Sequence, residues 1–596
     1  MNGMKLWLAS GAALLALAGG VAQAAVKVHV NQVALERAGP KAAVVETDRG
    51  AAGGRFSVLR DGQEVLAGDL AAEPAFSEWG AGKRYFTADF SGLKEAGRYE
   101  VKVTLGGETA TSPAFVVADD ALFATTGKAL VEYFKLSRNV SEADKRIRIY
   151  GTKTYVNVWG GWKDAGGDAG KYLSHLSYAN FFNPQQTSFA AWALARSYEA
   201  SPGRFQKAGL DKQIVDEALW GADYLHRLLS PEGFFYMTVF DRWKSPGAER
   251  VVTGYVGIEG VYTKNYQAAY REGGGVAIAA LARAYRLAKD TGAKGEFPAD
   301  QYLADAERSF AHMQKNNLRY VDDGRENIID DYTALLAATE LYLSTKKPVY
   351  LEAARARAAR LNGRMTANGW FDSDDKGRPY YHAAEAGFPV LSLVSYLAIE
   401  TDAARIAAAK DTIGKALKGQ LTLDAAVANP YDYPRQPFMT FKDGRRGPLQ
   451  TGFFIPHANE TRYWWQGESA RLASLSVAAL LGGRATDPRA GAAFGVEPAL
   501  AEFAQDQIDW TLGRNPYDMS MLYGFGAKNV PDAESAGVHV PGGISNGITG
   551  GVGSDQGRGI AWAEGPDSEN WRWLEQWIPH NAWFLLLASV TDPEAK

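Results

Sequence analysis

Twelve helical segments joined by alternately short and long links constrain this chain more than any other feature. They run roughly 122–137, 186–200, 206–229, 270–289, 299–316, 329–345, 348–362, 388–399, 401–417, 467–482, 495–512 and 573–590. Several carry apolar residues at i, i+3 and i+4, as in DDYTALLAATELYLST (330–345) and ESARLASLSVAALLGG (468–483). Links within successive pairs (two to three, four to five, and so on) are about twelve residues or fewer. The links after helices one, three, seven, nine and eleven run from about twenty to sixty, and the link after five is about a dozen. Such alternation implies six antiparallel hairpins with every long link at one end. The economical arrangement over residues 122–596 is an (α/α)6 barrel with an elaborated rim, and long loops inside compact domains usually carry function.

The preceding stretch, 25–118, has a different texture. VKVHVNQVAL, KAAVVET, RFSVLRDGQEVLAG, RYFTADF, GRYEVKVTLGG and TSPAFVV are short, often alternating, and rich in β-branched or aromatic residues, with turn signals at Asp61-Gly62 and Gly106-Gly107. Six or seven strands in that length predict a small immunoglobulin-like sandwich. It has no clustered acids or histidines, so a structural module is expected. Residues 1–24 combine a basic start at Lys5, an apolar run and a closing Ala22-Gln23-Ala24. That is the pattern of a secretory signal peptide, which implies a periplasmic or secreted protein with no membrane anchor.

Composition removes several classes. With no Cys, disulfides, thiol catalysis and cysteine-based zinc sites are excluded. The net charge of −4 is interspersed, so no nucleic-acid surface is expected. His-Glu-x-x-His, Gly-x-Ser-x-Gly, phosphate-loop and dinucleotide fingerprints are all missing.

The chemistry concentrates in GGWKDAGGDAGKY, residues 160–172, where Asp164 and Asp168 sit four apart among five glycines. An EF-hand loop starting at Asp164 fails, because Gly166, Ala169 and His175 fall where two ligands and the glycine are needed. A looser calcium site on the rim stays open, and no cofactor is required. Asp and Gly are also ordinary turn residues, so bracing a turn is the plain alternative. Across the barrel seam, in WRWLEQWIPHNAWFLLLASV, Glu575 lies between Trp573 and Trp577 at the start of the last helix. Indoles around a carboxyl raise its pKa, whereas aspartates on a polar loop are expected to stay ionised. Two carboxyls poised differently suit hydrolysis of a glycosidic bond. His175, His382, His457, His539 and His580 fall in or beside long loops and read first as donors to a ligand.

These segments resemble a known family. GGWKDAGGDAGKY is similar to the Gly-Gly-Trp-x-Asp-Ala-Gly-Asp signature of glycoside hydrolase family 9. LEQWIPHNAWF and TLGRNPYDMSMLYGFG resemble its closing segments, and NQVAL…PKAAVV with YFTADFSGLKEAGRYEVKV resembles the immunoglobulin-like domain that precedes many of its barrels. The resemblance implies an inverting hydrolase with Glu575 as general acid, Asp168 as general base and Asp164 helping to hold the water.

Gly167 is an extra residue between the aspartates relative to the family pattern, and a single His539 stands in AESAGVHVPGG where many endoglucanases have a His pair. SHLSYANFFNPQQTS and HANETRYWWQGESAR resemble the branch of exo-β-D-glucosaminidases acting on chitosan oligosaccharides. An ammonium-bearing sugar needs carboxylates beyond the catalytic pair, for which Glu272, Glu385, Glu460 and Glu468 are candidates. Trp162, Trp464, Trp465, His457 and His539 complete the expected substrate contacts. A β-1,4-glucan hydrolase is the alternative, and a monomer or dimer acting on soluble oligosaccharide is expected.

Overall fold

The computed structural model describes residues 26–50 and 53–595, and the expected signal peptide lies outside them. Residues 26–118 form two packed sheets. One holds Val26–His29, Ala42–Thr47, Arg84–Asp89 and Ala71–Ala72. The other is built around Gly97–Leu105 and Gly54–Arg60. Alternation along Gly97–Leu105 points Tyr99, Val101, Val103 and Leu105 inward, onto Val45, Phe56, Phe86 and Phe115. The Tyr99 hydroxyl donates back to the carbonyl of Glu95 at 3.0 Å, as tyrosine corners of such sandwiches do.

Fourteen helices follow among the described residues: α1 Ala121–Ser137, α2 Thr187–Ala200, α3 Pro202–Ala208, α4 Asp211–Leu228, α5 Gly274–Thr291, α6 Ala299–Tyr320, α7 Ile328–Thr345, α8 Pro348–Gly363, α9 Phe388–Leu397, α10 Ala403–Ala425, α11 Ser469–Thr486, α12 Pro498–Thr511, α13 Trp571–Leu574 and α14 Ile578–Val590. Packing closes α2, α5, α7, α9, α11 and α14 into an inner ring, with α1, α4, α6, α8, α10 and α12 outside it: an (α/α)6 barrel. Sequence explains the layers. Inner helices such as α5 and α14 are apolar nearly all round, because every face is covered. Outer α6 buries only Tyr302, Asp305, Ala306, Ser309, Phe310, Met313 and Asn317, one stripe at helical spacing.

Two expected helices are interrupted. The 206–229 segment breaks at Gly209, whose φ of 67° ends α3 in the left-handed region that glycine adopts freely. The last segment breaks at Glu575, which is extended (φ −65°, ψ 134°) between α13 and α14. There Gln576 and Trp577 pair with Ser545 and Ala165 as β-bridges, and Pro579 in the first turn suits a new helix start. Glu575 is therefore not on the final helix but in the kink before it. The long links also hold strands that the sequence pattern did not indicate, including a six-stranded rim sheet built from Ile147–Ile149, Lys171–Tyr172, Thr238–Phe240 and Val251–Val256 with two further strands.

The sandwich is docked on the barrel. Glu36 accepts from the N–H groups of Ala121 and Leu122, capping α1. Asn31 donates to Asp509 at 2.9 Å, and Trp79 packs among Tyr431, Tyr433, Phe453 and Trp510. No helix among the described residues is long and apolar enough to cross a membrane.

Candidate active site

The loop after α1 and the kink before α14 meet because α1 and α14 are neighbours. Ala165 pairs with Trp577, the N–H of Gly166 donates to the carbonyl of Gln576 at 3.0 Å, and that of Ile578 to Asp164 at 3.0 Å. These backbone bonds hold Asp164, Asp168 and Glu575 on one recess of about 430 Å³, whose walls include Trp243, Tyr255, Tyr463, Trp464, Trp571 and Trp577. A second recess behind the loop also reaches Asp168.

The three carboxyls have different surroundings. Asp168 accepts from the Tyr172 hydroxyl at 2.6 Å on one oxygen and from the Gly170 N–H at 2.7 Å on the other. Asp164 takes both its side-chain donors, Gln186 and the indole of Trp577, on the same oxygen. Glu575 lies beside Gly167, whose N–H favours its charged form. The aspartates are only 5% and 6% exposed, so the loop does not give them the polar, solvated setting expected, and their charge depends on the donors they are given. Burial pushes the Asp168 carboxyl up, opposed by its two donors. Asp164 is raised well above the usual carboxylate range by burial, then by the charges of Asp168 and Glu575. Glu575 is likewise raised well above its range by burial and by Asp168, against the pull of the Gly167 N–H. Carboxyls sharing one recess disfavour one another's charge, which adds to the effect of burial.

Behind the loop, Lys171 and Arg250 pair with buried Asp144, and Lys171 also donates to the carbonyl of Gly160. This anchors the glycine-rich segment, whose Gly161 (φ 71°) has room for no side chain against the ring of Tyr224, 2.6 Å from where a Cβ would stand.

Of the other expected contacts, Trp464 and His175 line the recess, and the rest lie elsewhere. Trp162 is fully buried against Phe134, and its indole donates to Glu217 at 2.7 Å, so it is a core residue. Glu272 is closed into its own turn, accepting from the N–H of Ala269 at 3.0 Å; burial pushes it up to about 8. Glu468 is committed to Arg471, the hydroxyl of Tyr433 and the N–H of Ile455. Glu460 pairs with Arg378 at 2.6 Å, and Glu385 is held by Tyr332 and the N–H of Gln185. None of these carboxylates lines the recess. His539 is buried, with one ring nitrogen 2.8 Å from the carbonyl of Leu574, so it braces the strand of chain leading to Glu575. His457 stacks on Trp465 with centroids 3.8 Å apart, and both line a separate recess. Among the described residues no group of three or more His, Cys, Asp or Glu is placed to hold a metal ion.

Tyr172 and Gln186, which hold the aspartates, stand within segments singled out above, but their partners were not visible from spacing. Trp243, Tyr255, Tyr463 and Gln466 were missed as well; Tyr463 and Gln466 stand within HANETRYWWQGESAR, and for Trp243 and Tyr255 the only sequence signal is aromatic density in long loops.

Comparison with known proteins agrees with this arrangement. Residues 123–553 match glycosyl hydrolase family 9, and residues 23–108 match the cellulase N-terminal ig-like domain. No curated protein matches the chain. Among solved structures, a metagenome-derived glycoside hydrolase family 9 endoglucanase shares 20% identity with a TM-score of 0.67, covering 95% of this chain and 99% of that one. A Bacteroides ovatus family 9 protein shares 18% identity (TM-score 0.64, 95% and 98%). AaCel9A in complex with cellobiose-like isofagomine shares 17% (TM-score 0.62, 94% and 99%). The family match spans most of the chain and takes in both aspartates, and the chain belongs to glycoside hydrolase family 9, an inverting O-glycoside hydrolase.

Proposed function

We propose that this enzyme hydrolyses β-1,4-linked glucose chains, with Glu575 as general acid, Asp168 as general base and Asp164 orienting the water. The observation that carries the reading is the meeting of three differently supported carboxyls in one aromatic-walled recess. Glu575, kept protonated by burial, gives its proton to the glycosidic oxygen as the bond to the anomeric carbon breaks. Asp168, whose charged form is favoured by Tyr172 and Gly170, takes a proton from the water that attacks the opposite face. Aromatic walls suit the flat apolar faces of neutral pyranoses.

The glucosamine reading loses the four carboxylates it was argued from, because Glu272, Glu385, Glu460 and Glu468 are all engaged away from the recess, and the further carboxylate on its wall, Glu569, is paired with Arg572. It rests on the two resembling segments alone. Structural neighbours include an endoglucanase and a protein in complex with cellobiose-like isofagomine, which supports the glucan reading. The same reading needs no cofactor and places the enzyme outside the cytoplasm on the strength of residues 1–24. Incubation with cello-oligosaccharides and with glucosamine oligomers, followed by product sizing, tests it. Faster cleavage of the cello series supports the reading, and cleavage of the glucosamine series alone contradicts it.

A further inference from the structure

Gln466 lines the catalytic recess and is only 4% exposed. Its Oε1 accepts from the indole N–H of Trp464 at 3.1 Å. Indole nitrogen only donates, so the amide cannot be turned round without setting N–H against N–H. The remaining group, Nε2 with two hydrogens, has no partner. The backbone is pinned as well. Gly467 donates to the carbonyl of Arg572 at 2.9 Å, and a Cβ on Gly467 would lie 2.2 Å from the backbone of Asn546. Gln466 is thereby held in register with α13, the turn that leads into Glu575. A buried donor without an acceptor is costly, and its place in the recess makes a ligand the natural acceptor.

We propose that Gln466 is a specificity residue, its amide N–H donating to the 2-hydroxyl oxygen of the bound sugar, with Trp464 the positioning residue that fixes the amide so that Nε2 is the end left without a partner. The inference rests on the glucan reading above and deepens it. A hydroxyl accepts as well as donates, whereas an ammonium only donates. A face made solely of N–H groups therefore suits glucose and opposes glucosamine at that contact. Glutamate at 466 reverses the preference, since one oxygen takes the Trp464 N–H and the other faces the sugar as a charged acceptor. Phenylalanine at 464 removes the N–H that fixes the amide, which can then present either end.

The test is kcat and KM for wild type, Gln466→Ala, Gln466→Glu and Trp464→Phe on cellotriose and on the glucosamine trimer. Gln466→Ala is expected to lose about tenfold or more in kcat/KM on cellotriose, the scale of one lost hydrogen bond to a desolvated group. Gln466→Glu and Trp464→Phe are expected to move the ratio of the two substrates toward glucosamine, a readout that a purely structural role leaves unmoved. Gln466→Glu keeps the side-chain shape and carries the test if the alanine variant fails to fold. If wild type cleaves cellotriose while the folded variants match it within about twofold, well under one hydrogen bond, the inference is overturned and the glucan reading stands. If wild type cleaves only the glucosamine trimer, both fall.

Discussion

The hydroxyl of Tyr172 donates to Asp168 over 2.6 Å, and both groups are buried on the loop that faces Glu575. A hydrogen bond to the charged form lowers a carboxyl pKa, here against the burial that raises it. Tyr172→Phe removes that support. The base then ionises at higher pH, so the acidic limb of the kcat/KM profile moves up, by about one unit for a bond of roughly 1.4 kcal/mol. Activity on the acidic side falls about tenfold and recovers as pH rises. A profile that drops without shifting would show that Tyr172 acts only on shape.

Gly167 is the residue by which this loop exceeds the family pattern, and a Cβ on it would stand 3.3 Å from Oε1 of Glu575 and 3.5 Å from the carbonyl of Ser535. Gly167→Ala is expected to displace the Glu575 carboxyl. A catalytic group pushed by a few tenths of an ångström loses up to about tenfold in kcat, short of the ~10²-fold that follows a misplacement of about 1 Å, with KM changed far less. Steady-state kinetics on a cello-oligosaccharide checks this, and an unchanged kcat would show that the loop has slack.

Asp164 and Glu575 hold their protons more tightly in the folded chain than in the unfolded one, chiefly through burial. Unfolded, they ionise near pH 4. The sign follows: their contribution to stability is complete below that pH and is lost as pH rises through the raised folded values. Glu575→Gln therefore melts higher than wild type at pH 8, by roughly 1–3 °C, and by little or nothing at pH 4. Scanning calorimetry at the two pH values measures it. A variant that melts lower at pH 8 would contradict the account of Glu575 as a carboxyl strained by burial.

The sandwich leans on the barrel through Trp79, which is 5% exposed among Tyr431, Tyr433, Phe453 and Trp510. Trp79→Ala leaves a large void at that contact and is expected to cost about 3–5 kcal/mol of stability. Faster limited proteolysis around residues 119–120 would report the loosened docking. Proteolysis at the wild-type rate would mean that Asn31 and Glu36 hold the domains without it.

The barrel was legible because its helices repeat one physical problem, an apolar stripe or an apolar whole, separated by links whose lengths alternate. The sandwich was legible from period-two alternation. The rim was not. Lys171 and Tyr172 pair with Val239 and Thr238 across more than sixty residues of chain, and strands of two or three residues leave no pattern to read. The helix break at Glu575 was hidden for a related reason, since Trp573, Trp577 and the apolar run beyond them read as one helix. Asp164, Asp168 and Glu575 were found through motif spacing and the neighbouring ends of a closed ring. The substrate contacts fared worse. Glu272 and Glu468 were chosen because an ammonium-bearing sugar needs further carboxylates, and Trp162 as an aromatic contact, but each satisfies a buried partner instead. Burial of the aspartates was not legible either, and it works against their charge where a polar, solvated loop had been expected to support it.

The central claim is that Glu575 and Asp168 work on opposite faces of a glucose unit. A proton NMR time course with cellotriose and the glucosamine trimer in parallel tubes tests it most directly, with Glu575→Gln and Asp168→Asn alongside. The account predicts early α-anomer signals of glucose products from cellotriose, and turnover lower by about 10³-fold in both variants while their folds are intact. Early β-anomer, products from the glucosamine trimer alone, or near wild-type turnover in either variant would contradict it.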